Sequence, residues 1–182
     1  MKRVFFIVGP TATGKSELAA DVAQRVDAEI VSVDAFQIYR GLDLLNAKPD
    51  PPILEKARHH LIGTVPLGEE MNAEKYRDAA EKIIQEIQAR RTPVIVVGGS
   101  GLYVKALTHG LSPLPGAHRK LREKLEEATI GELFQSLTAL DPAGAQQIDR
   151  KNKRRLVRAI EVCLLTRKPF SEIRSTGILP AV

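Results

Sequence analysis

A glycine-rich octapeptide near the start of the chain has the residue types and the spacing that bind phosphate groups. Residues 9–16 read GPTATGKS and fit the pattern G-x-x-x-x-G-K-[ST] at every fixed position. Glycines in such a loop let backbone N–H groups converge on phosphate oxygens, and the helix that follows adds its positive N-terminal end. The pattern predicts a phosphate-binding loop that consists of Gly9, Pro10, Thr11, Ala12, Thr13, Gly14, Lys15 and Ser16.

Two side chains of this loop have separate predicted roles. Lys15 places a positive charge against the terminal phosphates, and Ser16 is a predicted ligand of Mg²⁺ together with phosphate oxygens. The alternative is a glycine-rich turn that binds nothing. The motif does not name a reaction, because kinases, ATPases and GTPases all use it. A small-molecule or nucleoside kinase is one hypothesis, although the guanine-reading pattern N-K-x-D does not occur and residues 29–34 match a Walker-B strand only loosely.

The segments around this loop alternate between strand and helix patterns. Residues 4–8 are an apolar run closed by Gly-Pro, which is typical of a strand buried on both faces. Helical spacing follows over residues 16–26, and further strands are predicted at 29–33 and 94–97. A helix is predicted at 73–90, with Asn72 as its N-cap and an apolar face formed by Ala80, Ile83, Ile84 and Ile87. Repeated β-α units of this kind predict an α/β fold with a P-loop NTPase-like parallel sheet and helices on both faces, followed by a small helical segment.

The pattern changes at residues 111–116, where LSPLPG indicates a linker. No convincing strand follows, and the last predicted helix, from about residue 151, has one apolar and one basic face. We therefore divide the chain into a P-loop α/β core, a helical insertion, and a basic helix whose tail returns to the core, at residues 1–112, 113–150 and 151–182.

Composition limits the classes to which the protein can belong. With 182 residues, of which 43% are hydrophobic, the chain can close one α/β core. No apolar run approaches the roughly 20 residues of a membrane span, and the single cysteine, Cys163, leaves no internal disulfide. We expect a cytoplasmic monomer that does not contact a membrane.

Positive charge is concentrated in the last third of the chain. Residues 1–116 contain 14 Lys/Arg and 14 Asp/Glu, whereas residues 117–182 contain 13 and 8. A solvated helical face explains many such excesses, and a surface that binds a polyanion is the alternative.

Five segments of the chain, in order, resemble the tRNA dimethylallyltransferase family, also called isopentenyl-tRNA transferases. They are GPTATGKS at 9–16, VDAFQIYRGLDLLNAKP at 33–49, HHLI at 59–62, GGSGLY at 98–103 and DPAGAQQIDRKNKRRLVRAIEV at 141–162. The resemblance implies transfer of a dimethylallyl group from dimethylallyl diphosphate to N6 of the adenosine beside the tRNA anticodon, with Mg²⁺ and release of diphosphate.

The resemblance also implies roles for individual residues. Asp34 matches the catalytic aspartate of the family, and a carboxylate suits the removal of a proton from an attacking exocyclic amine. The alternative for Asp34 is a loop-capping or Mg²⁺-linked role. Lys15 is the second predicted catalytic residue, because it stabilises the departing diphosphate. The implied tRNA-binding residues are Asp34, Ala35, Phe36, Gln37, Ser100, Arg122, Arg154, Arg155, Leu156, Val157 and Arg158.

The chain departs from the family pattern at several of these positions. Ala35 replaces a serine, whereas Gln37 remains to hydrogen-bond an adenine edge, and Ser100 keeps the hydroxyl of a threonine. Asn46 and Gly63 stand where the family usually has threonine and aspartate.

Family members normally extend well beyond this length, with another core strand and a C-terminal basic segment. We therefore expect an uncovered sheet edge or groove and weak, salt-dependent binding of tRNA. A non-catalytic, phosphate- or RNA-binding remnant is the third hypothesis.

Overall fold

Short strands form one parallel sheet in the first part of the chain. The computed structural model describes residues 4–42 and 47–176, with side chains as far as residue 173, so position 46 and the last six residues lie outside it. The strands are β1 (Val4–Val8), β2 (Glu29–Ser32), β3 (His59–His60) and β4 (Val94–Gly98). Their order is β1-β4-β2-β3, and each neighbouring pair is parallel. The predicted parallel α/β sheet is confirmed.

Helices cover both faces of this sheet. They are α1 (Lys15–Val26), α2 (Pro51–Leu54), α3 (Ala73–Ala89) and α4 (Gly101–His109). Neighbouring residues of one strand point to opposite faces, so that Ile95 packs in the cluster that contains α1, and Val94 and Val96 pack in the cluster that contains α3. The predicted N-cap of α3 is present, because the Asn72 side chain accepts hydrogen bonds from the backbone of the first turn.

The prediction that β1 is buried on both faces was wrong. Phe5 and Val8 are each 51% exposed, although Phe6 packs against the core. β1 is the edge strand of the sheet, and within the described residues its outer edge has no partner strand. The apolar run VFFIV is equally compatible with an edge strand, because hydrophobicity alone does not count neighbours. The irregular connection predicted for residues 50–60 also contains the two-residue strand β3, which completes the opposite edge.

A second compact unit begins at Leu111. Its helices are α5 (Arg119–Glu127), α6 (Ile130–Leu140), α7 (Pro142–Gln147), α8 (Lys153–Thr166) and α9 (Phe170–Thr176). Leu133, Leu137, Leu156 and Ile160 form the centre of its core, which places α8 against α6. The structure therefore groups α8 with the helices that precede it. The predicted tail at 177–182 lies outside the described residues.

Helix caps begin the helices of this second unit. Thr129 and Glu132 form a complete capping box on α6. Asp141 is the N-cap of α7 and accepts a hydrogen bond from Gly144 N at 2.8 Å, and it also accepts from Ser171 N and Oγ at 2.8 and 2.7 Å. No helix in the described part of the chain is long and apolar enough to cross a membrane.

Candidate functional site

Three loops leave the sheet at the same edge, because the strands that precede them are parallel. The phosphate loop follows β1, the Gly99-Ser100 pair follows β4, and Asp34 follows β2. Since β4 lies between β1 and β2 and neighbouring strands are about 4.8 Å apart, the first and last of these strands are about 10 Å apart. The carboxyl edge of an open α/β sheet is the usual place for a ligand.

The phosphate loop has the backbone that its glycines predict. Ala12 and Gly14 have φ angles of 62° and 75°, in the left-handed region, and Gly14 is the N-cap of α1. The N-cap has no side-chain hydrogen bond to the first turn, so the helix presents its backbone N–H groups at the loop. Lys15 Nζ donates to Pro10 O and, at 3.2 Å, to Thr13 Oγ1, which directs the ammonium group into the loop.

Glycines 98 and 99 permit the close approach of the three loops. A Cβ at Gly98 would lie 2.5 Å from the carbonyl oxygen of Val33, and a Cβ at Gly99 would lie 2.9 Å from Gly9 O. Gly98 also has a φ of 154°, a conformation that other residues rarely adopt. Backbone hydrogen bonds from Gly9 N to Gly98 O and from Ser100 N to Val33 O join the segments at 3.3 and 3.1 Å. The GGSG segment therefore fixes the phosphate loop relative to Asp34.

Asp34 is half-buried at the start of the loop after β2. Its Oδ1 accepts hydrogen bonds from Phe36 N at 2.9 Å and Gln37 N at 3.2 Å. These bonds match the loop-capping interpretation of Asp34, and they also fix the direction of the carboxylate. The two roles are compatible, because a carboxylate has about four acceptor positions.

The other residues of this loop have different surroundings. Ser100 Oγ accepts a hydrogen bond from Ala35 N at 2.8 Å, and the Ala35 methyl group packs against the core. The Gln37 amide bonds Ser32 Oγ at 3.1 Å and Ala47 O at 2.9 Å, so it is engaged within the chain at both ends. Phe36, in contrast, is 67% exposed. Adenine recognition by Gln37 stays a prediction.

Two tyrosines that the sequence analysis did not select support this edge. Tyr76 and Tyr103 stack with ring centroids 4.2 Å apart, and Tyr76 Oη donates to Ser32 O at 2.9 Å. Burial raises the pKa of both phenols, so they stay protonated donors. Tyr76 lies on the predicted apolar face of α3, but no sequence signal shows that its ring meets Tyr103.

In the second unit, two predicted tRNA-binding arginines form ion pairs with one buried carboxylate. Arg122 Nε and Nη2 donate to Oε1 and Oε2 of Glu161, each at 2.9 Å, and Arg158 Nη1 donates to Oε2 at 2.6 Å. Glu161 is fully buried. Burial alone would raise the pKa of Glu161, but the hydrogen bonds from Arg122, His118 N and Arg158 outweigh it and lower the pKa.

The remaining residues of the basic segment lie on opposite faces of α8. Arg154 and Arg155 are exposed, whereas Leu156 and Val157 are 0% and 4% exposed in the core of the unit. Helical periodicity explains the division, because only residues three or four positions apart lie on the same face of a helix, and consecutive residues therefore point in different directions. RNA contact through the side chains of Leu156 and Val157 is therefore not supported.

Magnesium fits the phosphate loop better than it fits any cluster of acidic residues. Ser16 lies half-buried in the first turn of α1, and in the described ranges no group of three or more His, Cys, Asp or Glu residues could hold a metal ion. Mg²⁺ commonly takes few protein ligands and completes its shell with water and substrate phosphates. A hydroxyl beside a phosphate loop meets that requirement.

Several curated proteins are similar to this chain over almost all of its length. A tRNA dimethylallyltransferase of Akkermansia muciniphila is 40% identical, covering 96% of this chain and 60% of the relative. The corresponding protein of Halorhodospira halophila is 44% identical, covering 94% and 56%. The chain thus spans little more than half the length of these relatives.

Solved structures show the same fold. A eukaryotic dimethylallyltransferase, described as acting on tRNA, superposes with a TM-score of 0.81 and 27% identity over 100% of this chain and 46% of that one. The tRNA isopentenylpyrophosphate transferase of Bacillus halodurans gives a TM-score of 0.61 and 34% identity over 93% and 57%. The profile of the family described as IPP transferase matches residues 37–180. The chain therefore belongs to the IPP transferase family.

Proposed function

We propose that this chain transfers a dimethylallyl group from dimethylallyl diphosphate to N6 of the adenosine beside a tRNA anticodon, and that diphosphate is released. One observation carries the proposal: in a chain of the IPP transferase family, the phosphate loop and Asp34 lie at the same sheet edge. The GGSG segment joins them through backbone contacts.

The chain's own residues supply two of the requirements of this reaction. The amine N6 attacks the allylic carbon, the bond from that carbon to the diphosphate oxygen breaks, and the leaving diphosphate keeps the electron pair. Lys15 and the N–H groups of the first turn of α1 bind that negative charge. Asp34 accepts the proton that N6 loses.

Mg²⁺, bound through Ser16 and the phosphates, would further neutralise the diphosphate.

The acceptor requires an RNA-binding surface. Exposed Arg154 and Arg155 supply cations for phosphate contacts, and Arg122 and Arg158 supply two more beside Glu161. Exposed Phe36, next to Asp34, gives an aromatic surface at the place where the adenine must enter.

We also propose that the protein is cytoplasmic, in keeping with its buried free cysteine Cys163, and that it acts as a monomer.

A transfer assay with two labelled donors tests the proposal. Dimethylallyl diphosphate labelled in the prenyl group and ATP labelled in the γ-phosphate are offered separately, each with unmodified tRNA and with small acceptors. Label from the prenyl donor in the RNA supports the proposal. Transfer of γ-phosphate without prenyl transfer overturns it in favour of a kinase, which the phosphate loop alone would also allow. Binding of both substrates without transfer indicates a non-catalytic remnant.

A further inference from the structure

The carboxylate of Glu161 accepts hydrogen bonds from three residues of the second unit, of which two belong to α5 and its N-cap and one to α8. Its Oε1 accepts from His118 N at 2.7 Å and from Arg122 Nε at 2.9 Å. Its Oε2 accepts from Arg122 Nη2 at 2.9 Å and from Arg158 Nη1 at 2.6 Å. A carboxylate has about four acceptor positions, so these bonds occupy the full capacity of Glu161.

The negative charge of this cluster is buried, whereas the positive charges belong to partly exposed side chains. The Glu161 side chain is 0% exposed, whereas the side chains of Arg122 and Arg158 are 33% and 29% exposed. Both arginine side chains are therefore partly accessible to solvent, and the cluster of three charged side chains has a net charge of about +1. Arg158 Nη2 also donates to Pro115 O at 2.7 Å, which fixes the plane of its guanidinium.

Shared bonding to one oxygen brings the two cations together. Arg122 Nη2 and Arg158 Nη1 both donate to Glu161 Oε2, so these nitrogens lie within about 6 Å of each other. Two guanidiniums at that distance repel each other unless an anion lies between them. A buried ion pair is also weak as a source of stability, since well-packed apolar residues often replace it at no loss. Orientation of the two arginine side chains therefore explains the buried carboxylate better than a gain in stability does.

We propose that Glu161 is a positioning residue that holds Arg122 and Arg158 as a pair of fixed guanidiniums for one RNA phosphate. This role rests on the proposed RNA substrate. Arginine recognises phosphate through planar, paired N–H bonds, so the direction of the guanidinium affects binding as well as its charge. The Glu161 side chain itself does not touch the RNA.

The substitution Glu161→Gln separates orientation from charge. Glutamine is close in size and removes one negative charge, so the protein becomes more positive by one unit. If charge alone governs RNA binding, the variant binds unmodified tRNA more tightly. If Glu161 positions the arginines, the variant binds about tenfold more weakly, since one charge-assisted phosphate contact is lost. The slope of log affinity against log salt concentration then falls by about 0.7–0.9.

Glu123→Gln is the matched control, because Glu123 pairs with Arg119 at 2.8 Å on the surface of α5. It makes the same change in net charge and leaves the Glu161 cluster intact. Its tRNA affinity should equal or slightly exceed that of the unaltered chain. Filter binding over a series from about 50 to about 200 mM salt measures all three proteins. Binding of diphosphate and the far-ultraviolet circular dichroism of each variant show whether it has folded.

The possible outcomes distinguish the two proposals. Equal or tighter tRNA binding by Glu161→Gln overturns the positioning role and leaves the transferase proposal in place. No tRNA binding by the unaltered chain at low salt overturns both. If Glu161→Gln does not fold, Arg158→Lys replaces it as the test, since lysine keeps the charge and cannot keep the paired geometry. Unchanged tRNA affinity in Arg158→Lys would then overturn the positioning role.

Discussion

The phosphate loop of the first unit and the basic residues of the second present positive charge in different ways. The loop consists of consecutive residues, and its donors are backbone N–H groups and the single ammonium of Lys15. The basic residues come from α5 and α8, and half of those predicted to bind tRNA form ion pairs with Glu161. The first arrangement is fixed by local backbone geometry, and the second is fixed by tertiary contacts.

This difference decides what a sequence pattern can show. Eight consecutive residues fix the phosphate loop, and the glycine at position 14 permits the left-handed conformation that the loop adopts there. An arginine in a basic helix carries no such information. Arg154 and Arg158 are one turn apart on α8, yet one is exposed and the other bonds to a buried carboxylate. If the two arrangements act independently, substitutions should separate donor chemistry from RNA binding.

The largest effect is expected from Asp34→Asn. Turnover should fall by a factor of about 10²–10⁴, because an amide cannot accept the proton from N6. Asparagine still offers Oδ1 to Phe36 N and Gln37 N, so the loop should keep its shape. Single-turnover prenyl transfer measures the effect, and affinity for donor and tRNA should change little. Asp27→Asn, at the left-handed C-cap of α1, is the control. An unchanged rate in Asp34→Asn would remove this carboxylate from the mechanism.

Lys15→Ala should weaken the binding of dimethylallyl diphosphate by about tenfold to a hundredfold. The substitution removes a charge-assisted hydrogen bond worth about 1.5–3 kcal/mol. Affinity for tRNA should change little, because the cations proposed to bind RNA phosphates are arginines of the second unit. Calorimetric titration provides the measurement, and Lys82→Ala, an exposed lysine of α3, is the control. Equal donor affinity in the Lys15 variant and the unaltered chain would exclude the predicted contact.

The double substitution Arg154→Ala and Arg155→Ala should act on tRNA alone. Removal of two exposed cations should reduce the slope of log affinity against log salt by about 1.4–1.8, with affinity lower by about tenfold at low salt. Donor binding should stay the same. The paired substitution Lys75→Ala and Lys82→Ala removes the same charge from exposed positions of α3. If both pairs reduced tRNA binding equally, net charge and not the α8 surface would explain the attraction.

Much of the sheet and of the donor site could be predicted from the sequence. Apolar runs located β1, β2 and β4, and Asn72 located the start of α3, because these signals depend on neighbouring residues. Signals that depend on distant residues were missed. The edge position of β1 reflects which strands pair, and the contact between Tyr76 and Tyr103 joins separate helices.

The arginine cluster shows the same limit more clearly. Arg122 and Glu161 are 39 positions apart in the sequence, and no spacing rule relates them. The net charge of +5 left two interpretations open, a solvated helical face or a surface that binds a polyanion. It could not indicate that one glutamate would fix two of the arginines. Only the packing of α5 against α8 brings these groups together.

The smallest effect at neutral pH is expected from the titration of Glu161, which affects stability and not the chemistry of the donor site. Its folded pKa lies below the ordinary value of about 4.3, because the bonds from Arg122, His118 N and Arg158 outweigh the cost of burial. As the pH falls, the unfolded chain binds a proton at this carboxylate before the folded chain does. The stabilising contribution is therefore complete above the unfolded pKa and is lost as the pH falls through the folded pKa.

Urea unfolding from pH 7 down to about 3 measures this contribution. Other carboxylates with lowered pKa values, Glu29, Glu132 and Asp141, add to the loss of stability in the unaltered chain. They are present in Glu161→Gln as well, so their effect cancels in the difference between the two proteins. The free energy of unfolding of the variant should therefore fall less between pH 5 and pH 3 than that of the unaltered chain, and the two should run parallel above pH 5. Parallel curves over the whole range would mean that the ion pairs of Glu161 do not distinguish the folded from the unfolded state.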